Sequence, residues 1–148
     1  MRASTPRAPP YFVVGTDGSA GSAAAIDLAF KEAGLRGAAL RVLYVWQPPL
    51  LGNAGEHPVP EEYQRLVAEA ASGRGAAHPD VPVHHEAVPG HPVRVLTDAS
   101  ADALGLIVGT RGLGGFTGMV LGSVSQGVLY HARCPVITVP HAGDDERS

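Results

Sequence analysis

The chain has 148 residues, of which 45% are hydrophobic and 17% charged, with a formal net charge of −3 and a mean hydropathy of +0.06. These values fit one globular domain able to bury its own core, and they exclude a disordered chain or a broad basic footprint for nucleic acid. The single cysteine, Cys134, excludes an internal disulfide framework and a multi-cysteine metal site, and the simplest compartment is a reducing cytoplasm.

No stretch approaches the roughly 20 apolar residues that cross a bilayer. Residues 1–10 carry Arg2, Arg7 and three prolines without an apolar run, which predicts a flexible arm and no secretory leader. The domain is expected over 11–140, followed by a flexible acidic tail over 141–148 that includes Asp144, Asp145 and Glu146.

Tyr11 to Val14 is a continuous apolar run, the pattern of a strand buried on both faces. Gly15-Thr16-Asp17-Gly18-Ser19 follows as a turn able to open a helix, and Ala23, Ile26, Phe30 and Ala33 recur at helical spacing until Gly34 and Gly37. Leu40 to Trp46 is the second strand. A loop rich in proline and glycine then runs from Gln47 to Pro60. Tyr63, Leu66, Val67, Ala70 and Ala71 mark a second helix that looks short, broken by Gly73 and Gly75. Val81 to Val88 is a polar third strand suited to an edge. His91-Pro92 opens a third helix, and Leu104 to Val108 is the fourth strand. A glycine-rich loop spans Gly109 to Gly122, with a fourth helix from Ser123 to about Arg133. Val136 to Val139 is the fifth strand, between Pro135 and Pro140.

Strands alternating with helices predict right-handed crossovers and a single doubly wound α/β domain with helices on both faces of a parallel sheet. Ligands of such folds bind beyond the carboxyl ends of the strands, where strand order reverses. The candidate residues lie just after strands one, two and four. Gly109 and Gly112 leave room for backbone to approach a ligand, and Gly122-Ser123 opens a helix whose amides and dipole attract phosphate. Ser123 and Ser125 add hydroxyls, although Ser123 with Gln126 also reads as a capping box by itself. Asp17 can accept hydrogen bonds from a ribose or base edge and would repel phosphate, or it can serve only the turn. Arg111 is either a phosphate clamp or a solvated loop charge. Val45 is either core or a platform for a base.

These residues together resemble the universal stress protein family. The resemblance covers nearly all of Tyr11 to Pro140, including Val-Gly-Thr-Asp-Gly-Ser at 14 to 19, Gly90-His-Pro-Val-Arg-Val-Leu96 and the run Leu106 to Ser125. The family's ATP-binding spacing is met by Gly109, Gly112, Gly122 and Ser123 without a gap. The resemblance implies a five-stranded sheet in the order 3-2-1-4-5, ATP as ligand with Mg²⁺, and a regulatory role in stress adaptation through an unidentified protein partner. By position, Thr16, Asp17 and Val45 would serve adenine and ribose, while Gly109, Arg111, Gly112, Gly122, Ser123, Val124 and Ser125 would serve phosphates and ribose. It also implies a homodimer through the fifth strand, which would cover an apolar edge.

Enzyme chemistry is poorly provided for. The only lysine, Lys31, follows Phe30, so no Walker A motif exists, and neither G-x-G-x-x-G nor G-x-S-x-G occurs. Slow ATP hydrolysis in the same pocket, or a nucleotide-free interaction protein on the same fold, are the alternative readings. His84 and His85 are adjacent on a strand and so point to opposite faces, which predicts no shared metal ion.

Overall fold

The computed structural model describes residues 9–18, 20–48, 58–110 and 123–140. Five strands alternate with four helices: β1 (Tyr11–Thr16), α1 (Ala20–Arg36), β2 (Ala39–Trp46), α2 (Glu61–Gly75), β3 (Val83–Pro89), α3 (Pro92–Ala99), β4 (Gly105–Gly109), α4 (Ser123–His131) and β5 (Val136–Val139). The strands form one parallel sheet in the order β3-β2-β1-β4-β5, as the family resemblance implies.

The alternation of side chains along each strand divides the core into two layers. Phe12, Val14, Leu40, Val42 and Ile107 pack under α1 and α2, against Ile26, Phe30 and Val67. Val13, Leu43, Leu106 and Val108 point the other way, against Leu96 of α3 and Val128 of α4. Both layers exclude water: Val13, Val14, Phe30, Leu40, Leu106 and Ile107 are all 0% exposed. Fully burying one such side chain contributes about 1.5–3 kcal/mol, so β1 and β4, covered on both faces, anchor the fold.

The helices run further than the glycines predict. Helix α1 continues through Gly34 to Arg36 and ends at Gly37, whose φ of +63° is the left-handed conformation that glycine adopts without penalty. Helix α2 is not short, since it spans 15 residues and passes through Gly73. A glycine costs a helix only about 1 kcal/mol. Arg74 ties the last turn to Asp27 of α1 and to the Ala70 carbonyl, and Val67 and Ala71 are buried against the sheet. Strands β1 and β4 each extend past their apolar runs, to Thr16 and Gly109. Both polar ends remain in the ladder because a neighbouring strand continues beside them. Thr16 pairs with Tyr44, and Gly109 with Val139.

Helices α3 and α4 pack closely because Gly127 has no side chain: a Cβ there would lie 2.5 Å from Cγ2 of Val93. Replacing glycine by alanine within a helix gains about 1 kcal/mol of propensity, whereas overpacking against a stiff β-branched residue costs about 1–3 kcal/mol. Gly127→Ala is therefore expected to destabilise the protein by about 1 kcal/mol in urea denaturation, and to stabilise it when introduced into a Val93→Ala background.

Candidate functional site

The chain moves outward in one direction from β1 to β2 and β3, then returns across the sheet to β4 on the other side of β1. Strand order therefore reverses between β1 and β4, and the carboxyl ends of these two strands mark the position at which such folds bind ligands. Of the residues singled out in the sequence, Thr16 and Asp17 sit at the end of β1, Gly109 closes β4, and Ser123, Val124 and Ser125 form the first turn of α4. Val45 lies one step past the last register pair of β1 and β2, level with Asp17. Arg111, Gly112 and Gly122 lie outside the described residues.

Asp17 is held by a directed chain of hydrogen bonds. The Gly18 amide donates to the Thr16 hydroxyl at 3.1 Å, Thr16 and Ser22 share a bond of 3.0 Å, and the Ser22 hydroxyl donates to Oδ1 of Asp17 at 3.1 Å. A serine hydroxyl has one hydrogen. Because Ser22 gives its hydrogen to the carboxylate, Thr16 must donate to Ser22, and the whole chain points toward the negative charge. The Asp17 amide also donates to the Ser22 oxygen, at 3.3 Å. Ser22 is 5% exposed, so its hydroxyl is shielded from water and held by α1, while Thr16 and Asp17 are half-buried and Gly18 is exposed. Gly18, with φ of +83°, supplies the turn from strand to helix.

The end of β4 meets the same turn of α1. A Cβ on Gly109 would stand 2.9 Å from the Gly21 carbonyl oxygen, a backbone atom that cannot swing away. On its other side, Gly109 accepts a hydrogen bond from the hydroxyl of Ser125, which is 3% exposed. Ser125 thus binds the first turn of α4 to the end of β4, and Ser123 at the helix start faces solvent. Val124 and Val45 are half-buried and both pack on the layer beneath α3 and α4.

The sequence family is decided by the match of residues 12–140 to the profile described as "Universal stress protein family". The chain belongs to the universal stress protein family. It is 41% identical over 128 residues to a universal stress protein of Mycobacterium tuberculosis strain H37Rv, an alignment covering 84% of this chain and 43% of that protein. A universal stress protein of Mycolicibacterium smegmatis is 39% identical over 131 residues, covering 86% of this chain and 44% of its own length. The chain thus spans about half the length of the curated relatives it matches. Among solved structures, a universal stress protein in complex with cAMP is 28% identical with a TM-score of 0.71, covering 92% of this chain and 100% of that chain. UspA from Lactobacillus plantarum shares the fold, with a TM-score of 0.68 at 23% identity over 90% of this chain.

Three residues of this universal stress protein site escaped sequence reasoning. Ser22 lies in the first turn of α1 at a spacing that signals nothing by itself, although a serine buried on a helix face otherwise lined by Ala25, Ile26, Ala29 and Phe30 needs a polar partner. Tyr44 and Tyr63 stack at 5.1 Å between the end of β2 and α2, with Trp46 6.4 Å from Tyr63. The Tyr44 phenol is pushed above its ordinary value by burial first, and then by Tyr63, Asp17 and Glu62. It is therefore a neutral donor near physiological pH.

Since ionisation of Tyr44 is harder in the folded state than in the unfolded chain, its contribution to stability is complete below the unfolded pKa of about 10 and is lost as pH rises through the higher folded value. Thermal melts are expected to fall above about pH 10, and Tyr44→Phe should lessen that fall. An unchanged alkaline slope would show that Tyr44 does not carry it.

Proposed function

We propose that this universal stress protein domain binds an adenine nucleotide, ATP with Mg²⁺, in the crevice between the ends of β1 and β4. The observation that supports it best is the convergence of two unlike ends at one switch point: a carboxylate oriented by a buried serine, and a helix start tied to the neighbouring strand. Thr16 and Asp17 take the ribose and base edge, with Val45 as the apolar surface under the base. Gly109, Arg111, Gly112, Gly122, Ser123 and Val124 serve the phosphates and ribose. Ser125 belongs to that group by position, and through its bond to Gly109 it serves by holding the helix start against β4. Mg²⁺ would offset phosphate charge that one arginine and a helix dipole do not balance.

The family relative solved with cAMP supports an adenine nucleotide as the ligand class. The long glycine-rich segment between Gly109 and Gly122 favours several phosphates over a cyclic one. The same reading makes the protein a nucleotide-dependent regulatory module of the cytoplasm that acts on a protein partner. It pairs as a homodimer through β5, whose four apolar or β-branched residues lie half-buried at the sheet edge. Leu129 and Tyr130 of α4, 46% and 87% exposed, add apolar surface of the kind a partner covers.

Calorimetric titration with ATP and Mg²⁺ tests the reading on three proteins. The parent should bind. Gly122→Val should not, because a branched side chain at the loop-to-helix junction blocks the phosphates. Asp17→Ala should bind about 10- to 100-fold more weakly, the loss of a hydrogen bond to a charged group. No binding by the parent would leave a nucleotide-free interaction protein as the better account, and equal binding by all three would move the nucleotide elsewhere.

A further inference from the structure

Strand β3 forms one edge of the sheet. The Pro82 carbonyl accepts from Leu40 of β2, and the Gly90 amide donates to Trp46 of β2. Along a parallel strand the backbone groups alternate in direction, so Val83, His85, Ala87 and Pro89 turn theirs outward. At Ala87 those outward groups are already taken. The Gln64 side chain of α2 donates from Nε2 to the Ala87 carbonyl at 3.0 Å and accepts the Ala87 amide at Oε1 at 3.1 Å. A carboxamide carries the same donor and acceptor as a peptide group, so Gln64 occupies the place of one residue of a sixth strand. Pro89 has no N–H to offer, which closes the next outward position to donation. Stacking of Tyr63 on Tyr44 and complete burial of Val67 fix the turn of α2 from which Gln64 reaches.

We propose that Gln64 is a plug that blocks the Ala87–Pro89 half of the β3 edge against strand addition, and that the strand it excludes is β5 of a second copy of this chain. Strand β5 is the other edge of the same sheet, and its outward groups are those of Val136 and Thr138, because Pro135 and Val139 accept from β4 and its extension. A β5-to-β3 contact is heterologous and does not close, so it would grow into an open array. With that half of the β3 edge plugged, a full-length β5 pairing there is blocked, and another β5 is the better partner, in a closed pair.

The test compares the full chain with Gln64→Ala by sedimentation velocity and by amide exchange, at temperatures where circular dichroism shows both folded. The Ala87 amide should exchange roughly tenfold faster in the variant, and the variant should form species larger than the parent's that grow over a roughly hundredfold rise in concentration. Adding Thr138→Pro, which removes an outward donor of β5 without a bond to β4, should abolish that growth. Gln64→Glu keeps the acceptor for the Ala87 amide but has no donor for its carbonyl, and should lie between parent and Gln64→Ala in both readouts. Unchanged Ala87 exchange, a Gln64→Ala protein of the parent's size throughout, or growth that survives Thr138→Pro would each overturn the proposal.

Discussion

At Gly109 the last residue of β4 lies so near the first turn of α1 that no side chain could stand between them, and the candidate site is built around this contact. The nearest atom is the Gly21 carbonyl oxygen, held in a helix, so relief would require moving α1 or β4 as a whole. The next residue of α1, Ser22, carries the hydroxyl that orients Asp17. Gly109 in turn accepts the hydroxyl of Ser125. One close approach of backbone to backbone therefore sets the spacing of four chain segments: the ends of β1 and β4, and the starts of α1 and α4. A signature glycine at this position is explained by packing before any ligand is considered. The two explanations do not compete, because the packing would align the groups proposed to face a ligand.

Helix α2 performs a comparable task at the outer half of the sheet. Within one turn, Tyr63 stacks over Tyr44 at the end of β2, Gln64 bonds the β3 edge, and Leu66 lies where a Cβ on Gly18 would meet it at 3.3 Å. The turn that presents Asp17 is thus bordered on one side by α1 and on the other by α2. The half-buried pair stacks beside the end of β2, and burial together with Tyr63, Asp17 and Glu62 raises the Tyr44 pKa.

Much of this was legible in the residues, for a physical reason in each case. Continuous apolar runs such as Phe12 to Val14 mark strands covered on both faces, and α/β alternation gives a doubly wound parallel sheet, while the strand order came from the family resemblance. Glycine was the weaker guide. Gly34 and Gly73 interrupt helices only when nothing else holds the chain, and the contacts of Arg74 and the burial of Ala33 and Ala71 override them. Asp17 and Ser123 were visible because spacing from a strand end is a local property. The contacts of Ser22 with Asp17, of Ser125 with Gly109 and of Gln64 with Ala87 were not, since each depends on where an element lands after folding. Gln64 is the clearest case: a polar residue at an outward position of an amphipathic helix carries no sign that it will complete a strand 23 residues away.

The separation of charges along the crevice gives the site a direction. Asp17 brings a carboxylate to the end of β1, and the start of α4, across Gly109, brings free amides with a positive dipole end. Two unit charges about 4 Å apart near a protein surface interact by roughly 4 kcal/mol, enough to exclude a phosphate from the immediate vicinity of Asp17. In the proposed nucleotide complex, this separation would place the ligand's hydrogen-bonding uncharged portion at β1 and its anionic portion toward α4. The two serines of α4 divide accordingly. Ser125, buried and committed to Gly109, fixes where the helix begins, and Ser123, exposed at that beginning, is the hydroxyl on the solvent side. On that proposal, orientation would follow from which strand bears the carboxylate and which helix start is pinned beside it.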